Sequence, residues 1–171
     1  MKDTVEDPRA DIAGLLPRLR RFARVLTRNR EDADDLVQVA VERALRRTDQ
    51  WQPGSRLDSW IFRIMKNAWI DEVRTRARRN RVFSHEEEGE HIDVSYNEQH
   101  INAMAVRKAM EQLSDDHRLA IGLVLVEGLP YKEAAEVLNI PVGTLTSRLS
   151  RGREILQAIL SGGETRHEGL P

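Results

Sequence analysis

The chain has 171 residues, 40% of them hydrophobic and 32% charged, no cysteine, and a net charge of −1. That length supports one medium domain or two small ones, and the missing cysteines exclude disulfides, thiolate metal sites and cysteine nucleophiles and fit a reducing cytoplasm. No apolar run nears the roughly 18 residues of a membrane span, and MKDTVEDPRAD lacks the basic-then-apolar start of a signal peptide. The near-neutral total conceals a segregation: residues 11–81 hold 17 Lys or Arg against 10 Asp or Glu, residues 82–103 hold six acidic residues and no basic one, and residues 104–160 balance at seven each. A basic domain tied to an acidic strip points to a nucleic-acid partner.

The periodicities predict an all-α fold: two small helical domains, residues 10–82 and 101–160, joined by a flexible acidic linker over 83–100. In the first helix Ile12, Leu15, Leu16, Leu19, Phe22, Ala23 and Leu26 keep one apolar face, which stops around Thr27 to Arg30. Asn29 can cap a second helix whose buried stripe is Ala33, Leu36, Val37, Ala40, Val41, Ala44 and Leu45. The carboxylates Glu31, Asp32, Asp34 and Asp35 in its opening turn suit the helix dipole or a binding surface equally. As adjacent exposed groups they lack the burial that raises a catalytic pKa.

Pro53 and Gly54 mark a loop over Thr48 to Arg56, with Trp51 either tucked into the core or open as a wall for an unstacked base. A long third helix follows from Leu57, with Leu57, Trp60, Ile61, Ile64, Met65, Ala68 and Val73 inward. Its distal half carries Arg74, Arg76, Arg78, Arg79 and Arg81 without counter-charges in the run, a pattern for phosphate contacts. In the strip from Ser84 to His100, His85, His91 and His100 read as solvated histidines, since no regular ligand spacing accompanies them; no metal or cofactor site is expected.

Two helices are expected over Ile101 to Leu113 and Asp115 to Glu127, with Ser114 as cap and Gly128 as stop. Leu129 to Leu156 then reads as a helix-turn-helix. Ala134, Ala135 and Leu138 face inward on its first helix, Asn139, Ile140 and Pro141 break it, and Thr144 caps the second. In that second helix Leu145, Leu149, Leu156 and Ile159 turn inward, so Thr146, Ser147, Arg148, Ser150, Arg151 and Arg153 are expected to point outward. A helical hairpin with a merely solvated basic face is the plainer alternative. Residues 161–171 are expected to be a disordered tail.

Three motifs, DADDLVQVAVERAL (Asp32 to Leu45), WQPGSRLDSWIFRIMKN (Trp51 to Asn67) and PVGTLTSRLSRGRE (Pro141 to Glu154), together resemble the extracytoplasmic-function sigma factors, over about residues 12–160. The resemblance implies a region-two domain and a region-four domain on a dissociable subunit of bacterial RNA polymerase, acting in the cytoplasm. It makes Asp35, Leu36 and Gln38, with Asp32 and Asp34 nearby, the contact to the clamp helices of the largest polymerase subunit. It makes the loop from Trp51 to Arg56 the segment that captures a base flipped from the promoter's −10 element, with Asn67 lining that pocket and Arg74 and Arg78 holding nearby backbone. Capture of an unpaired base offsets an unstacking cost of a few kcal/mol, so strands can part without ATP.

In the second domain the resemblance gives Ser147, Ser150 and Arg151 the −35 element and Arg148 and Arg153 the DNA backbone. An Arg151 to guanine pairing supplies roughly 1 to 3 kcal/mol of discrimination. Many relatives carry Arg where this chain has Thr146, and an aromatic residue or Arg where it has Ser150, so the resemblance carries no promoter sequence over to this chain. The expected partners are core RNA polymerase, promoter DNA and an anti-sigma factor, with no small-molecule substrate and no enzymatic constellation. Two rivals are a stand-alone helix-turn-helix regulator, which needs a dimerisation seam, and a sigma-like decoy that sequesters an anti-sigma factor, which should lose its DNA-facing residues.

Overall fold

In a computed structural model, residues 7–82 and 98–164 are described. The chain divides into two compact units, Met1–Glu88 and Gly89–Pro171. Among the described residues every regular element is helical.

The first unit contains α1 (Pro8–Leu26), α2 (Arg30–Arg46), a 3-10 turn at Thr48–Gln50, and α3 (Leu57–Val82). Helix α1 starts where Asp7 accepts the Arg9 amide at 3.1 Å and Pro8 supplies a preset φ. Asn29 caps α2 as expected, its side chain accepting the Asp32 amide at 2.8 Å. The three helices pack on one another in every pairing. Leu19, Phe22, Leu26, Ile61, Phe62 and Met65 are fully buried where they meet, and the Phe22 and Phe62 rings stand edge to face with centroids 5.1 Å apart.

The predicted stripes hold in part. Leu15, Leu16, Val41, Leu57, Trp60 and Val73 are only half-buried and Leu45 is exposed, whereas Phe62 and Trp69, absent from the expected stripe, are core residues. Helix α3 packs on both α1 and α2, so its buried arc is wider than a single stripe.

The second unit contains α4 (Glu98–Glu111), α5 (Asp115–Ile121) running into a wider π turn over Gly122–Val126, α6 (Tyr131–Leu138) and α7 (Val142–Glu164). Ser114 caps α5 by accepting the His117 amide at 3.3 Å, and Gly128, at φ +70°, ends the π turn. Asn139 takes the left-handed conformation at φ 55°, closing α6 while Ile140 donates back to the Ala135 carbonyl at 3.0 Å. Thr144 is not the cap of α7. The helix begins at Val142 directly after Pro141, whose carbonyl accepts the Leu145 amide at 3.1 Å as the first bond of the helix, so the cap position falls three residues earlier than Thr144.

Helix α7 lies against α4, α5 and α6. At Gly152 it approaches α5 so closely that an added Cβ would sit 2.6 Å from Ile121 Cδ1. The buried Arg118 of α5 donates to the carbonyls of Met110, Glu111 and Leu113 at 3.0, 3.1 and 3.0 Å, closing the end of α4. The boundaries differ slightly from expectation: α4 starts inside the predicted linker and α7 runs four residues beyond residue 160. The rest of that linker, with His85 and His91, and residues 165–171 of the expected tail lie outside the described residues. Among the described residues no helix is long and apolar enough to cross a membrane, and no cluster of three potential metal ligands occurs.

Candidate functional site

The carboxylates that open α2 do not form one uniform surface. Asp32 is already engaged: it accepts from Asn29 Nδ2 at 3.0 Å and from Arg76 of α3 at 3.0 Å, with its side chain 27% exposed. Asp34 stands out at 56% exposure with Arg30 only at 4.0 Å, and Asp35 is exposed. Leu36 belongs to the core at 7% exposure, while Gln38 is exposed and donates to Glu42 at 3.4 Å. The outer face therefore offers Asp34, Asp35, Gln38 and the exposed Val39, with Asp32 and Leu36 holding it from behind.

Helix α3 presents Asn67, Arg74 and Arg78 to solvent. Its basic run has the counter-charges the sequence reading missed: Arg76 bonds Glu72 at 2.9 Å as well as Asp32, and these two hydrogen bonds raise its pKa further. Beside Asn67, Lys66 is largely buried, and burial, reinforced by the Arg63 charge, pushes its pKa down.

The loop after the 3-10 turn folds around Trp51, which is 8% exposed, so its ring does not offer an open face. Its Nε1–H is buried without a hydrogen-bond partner, and Trp51 helps line an open groove with Pro8, Arg9, Asp49 and Pro53. Gly54 turns the loop at φ +85°. The loop leaves through Arg56, which grips Asp58 with Nε at 3.1 Å and Nη2 at 2.8 Å, while Arg18 of α1 reaches the same carboxylate at 2.8 Å. Sequence reasoning missed Asp58, since its partner Arg18 lies 40 positions away and no local pattern joins them.

In the second unit Thr146, Ser147, Ser150, Arg151 and Arg153 are exposed on α7, opposite the buried Leu145 and Leu149. The hydroxyls of Thr146 and Ser147 donate to the Val142 and Gly143 carbonyls at 2.9 and 3.1 Å, which leaves their oxygens as acceptors. Arg148 departs from expectation: its side chain is 26% exposed and turned onto α5, where Nη2 meets Asp116 at 3.1 Å. The face of α7 thus carries hydroxyl acceptors and an exposed guanidinium, the kinds of group that can pair with base edges.

Residues 12–66 match the family described as Sigma2 domain of PhyR, and residues 103–156 match Sigma-70, region 4. The chain is 37% identical over 161 residues to the ECF RNA polymerase sigma factor EcfG of Rhodopseudomonas palustris, spanning 89% of this chain and 84% of that protein. It is 32% identical to the ECF RNA polymerase sigma factor SigM of Mycobacterium tuberculosis, over 83% of this chain and 71% of that one. Among solved structures it resembles the sigma factor RpoE of Bartonella quintana, crystallised in complex with the anti-sigma factor NepR, with a TM-score of 0.81, 32% identity, and 92% and 98% of the two chains covered. The chain belongs to the extracytoplasmic-function family of RNA polymerase sigma factors. It binds core RNA polymerase and promoter DNA and directs promoter-specific initiation; its relatives are initiation factors rather than enzymes.

Proposed function

We propose how these surfaces divide the work of initiation. The outer face of α2, through Asp34, Asp35 and Gln38, docks on the polymerase, with Asp32 and Leu36 fixing the helix that carries it. The loop from Trp51 to Arg56 captures a −10 base next to Asn67, with Trp51 supporting the loop from beneath, and Arg74 and Arg78 hold the adjoining backbone. Helix α7 reads the −35 element through Thr146, Ser147, Ser150 and Arg151, with Arg148 and Arg153 on phosphates. The observation that carries this reading is the exposed polar face of α7, set opposite buried leucines directly after a left-handed turn.

The two domains are bridged by the acidic stretch around residues 83–97, and an anti-sigma protein holds the factor off DNA in the cytoplasm until released. A complex of that kind with a relative 32% identical to this chain supports the last point. The test is reconstituted transcription with core polymerase and a cognate promoter. Asn67→Ala and Arg151→Ala are expected to cut initiation at least tenfold with core binding unchanged, and the paired change of Asp35 and Gln38 to Ala to weaken core binding itself. A protein that binds an anti-sigma factor but yields no transcript from any promoter would be a decoy, and this reading would fall.

A further inference from the structure

We propose that Lys66 is a further DNA-binding residue of the −10 surface, whose ammonium, buried and without a counter-ion in the free protein, receives a backbone phosphate of the captured strand. The inference rests on reading the face around Asn67 as the one that meets the −10 element. Lys66 is only 9% exposed, and among the described residues it has neither an ion-pair partner nor a hydrogen-bond acceptor. Lysines so deeply buried are seldom left unpaired. The charge that acts on it is a like one, Arg63 one turn earlier, which adds to burial in lowering the Lys66 pKa. The site therefore lacks an anion that its own unit does not supply.

The position of Lys66 on α3 points to the source of that anion. On a 3.6-residue period the exposed Arg63, Asn67, Arg74 and Arg78 fall within about 60° of arc, and Lys66 stands at the edge of their face, about 60° from Arg63. Positions 63, 66, 67, 70, 74 and 78 hold four cations and no carboxylate, whereas Asp34 and Asp35 of the acidic docking face belong to α2. A strand laid along this face brings phosphates to the mouth of the Lys66 site, and an oxygen held between Lys66 and Arg63 removes their repulsion. Folding has already stripped the ammonium of most of its water. The phosphate contact then forms with little further desolvation of the protein, in surroundings less polar than bulk water, where it is stronger than that of an exposed lysine. The cost falls on folding instead: Lys66→Met, which keeps an unbranched side chain and drops the charge, should leave the urea midpoint of the free chain unchanged or raise it.

The experiment uses the full chain assembled with core polymerase and a forked promoter carrying the −10 sequence that the wild type selects from a random pool. Each phosphate of its unpaired −10 strand is replaced in turn by a neutral methylphosphonate, and affinity is measured across a salt series. Lys66→Met should bind the unmodified fork about tenfold more weakly, with a salt slope shallower by about 0.7, while Lys66→Arg keeps the slope. At one position the methylphosphonate should weaken the wild type about tenfold and Lys66→Met not at all, whereas phosphates held by other residues should matter equally to both. A scan and slope in Lys66→Met identical to the wild type, while Asn67→Ala weakens the fork complex, overturns the proposal and leaves the −10 surface as read. Weaker core binding by Lys66→Met with an unchanged scan also overturns it and gives the lysine to the polymerase interface. A lowered urea midpoint overturns it too, since the ammonium would then be holding the fold. If neither Lys66→Met nor Asn67→Ala affects the fork complex, the reading of the −10 surface fails and takes the proposal with it.

Discussion

A carboxylate withdrawn from water is costly unless its oxygens are paired, and Asp58 shows how that cost is met. Burial pushes its pKa up, but hydrogen bonds from Arg56 and Arg18, the Ser59 amide and the Arg56 charge together outweigh burial and hold it at about 2, against 3.8 unperturbed. A carboxyl with its folded pKa depressed stabilises the protein above its unfolded value and loses that contribution as pH falls from about 4 towards 2. Asp58→Asn should therefore destabilise the first unit by about 2 kcal/mol at neutral pH, measured by chemical denaturation, and the gap to wild type should close in acid. A gap independent of pH would mean that shape rather than charge matters at this position. This network was invisible in the sequence because it joins a helix to a loop exit 40 positions away, and periodicity reports only neighbours on one helix. Trp51 was legible as a choice between core and surface, and its depth is set by how the loop closes over it.

At the scale of single helices the sequence was far more legible, because a stripe of leucines at spacings of three and four commits a helix to one buried side. Leu145 and Leu149 turn inward in α7 as their spacing requires, and the stop at Asn139 follows from the tolerance of asparagine for the left-handed region. What spacing did not convey is how closely two helices approach. Gly152 reads as a weak point in a helix, yet it is where α7 meets Ile121 and the Cβ of His117, both of α5. Gly152→Val should overpack that crossing and destabilise the second unit by about 2 kcal/mol. Gly14 in α1 is the contrasting case, exposed and with nothing within 4 Å of an added Cβ. Gly14→Ala should stabilise the first unit by about 0.5 to 1 kcal/mol through helix propensity and a less free unfolded chain. Thermal or urea midpoints separate the two outcomes by sign.

Over the whole molecule, the charge segregation that first suggested two domains has a packing counterpart. Helices α1, α2 and α3 close one core around Phe22 and Phe62, and α4 to α7 close another around Leu123, Leu145 and Leu149. On the division of work proposed above, each unit meets one of a promoter's two short elements. Tethering both to one chain turns the second contact into an intramolecular one, so modest affinities multiply. That logic requires each unit to keep its shape when the other is weakened. Hydrogen exchange on the full chain offers the measurement. Asp58→Asn should lower protection across α1, α2 and α3 while leaving α5 to α7 unchanged, Gly152→Val should do the reverse, and the double variant should show both losses without interaction. A single change that loosened both sets of helices together would mean one cooperative fold, in which damage around the loop from Trp51 to Arg56 also loosens helix α7.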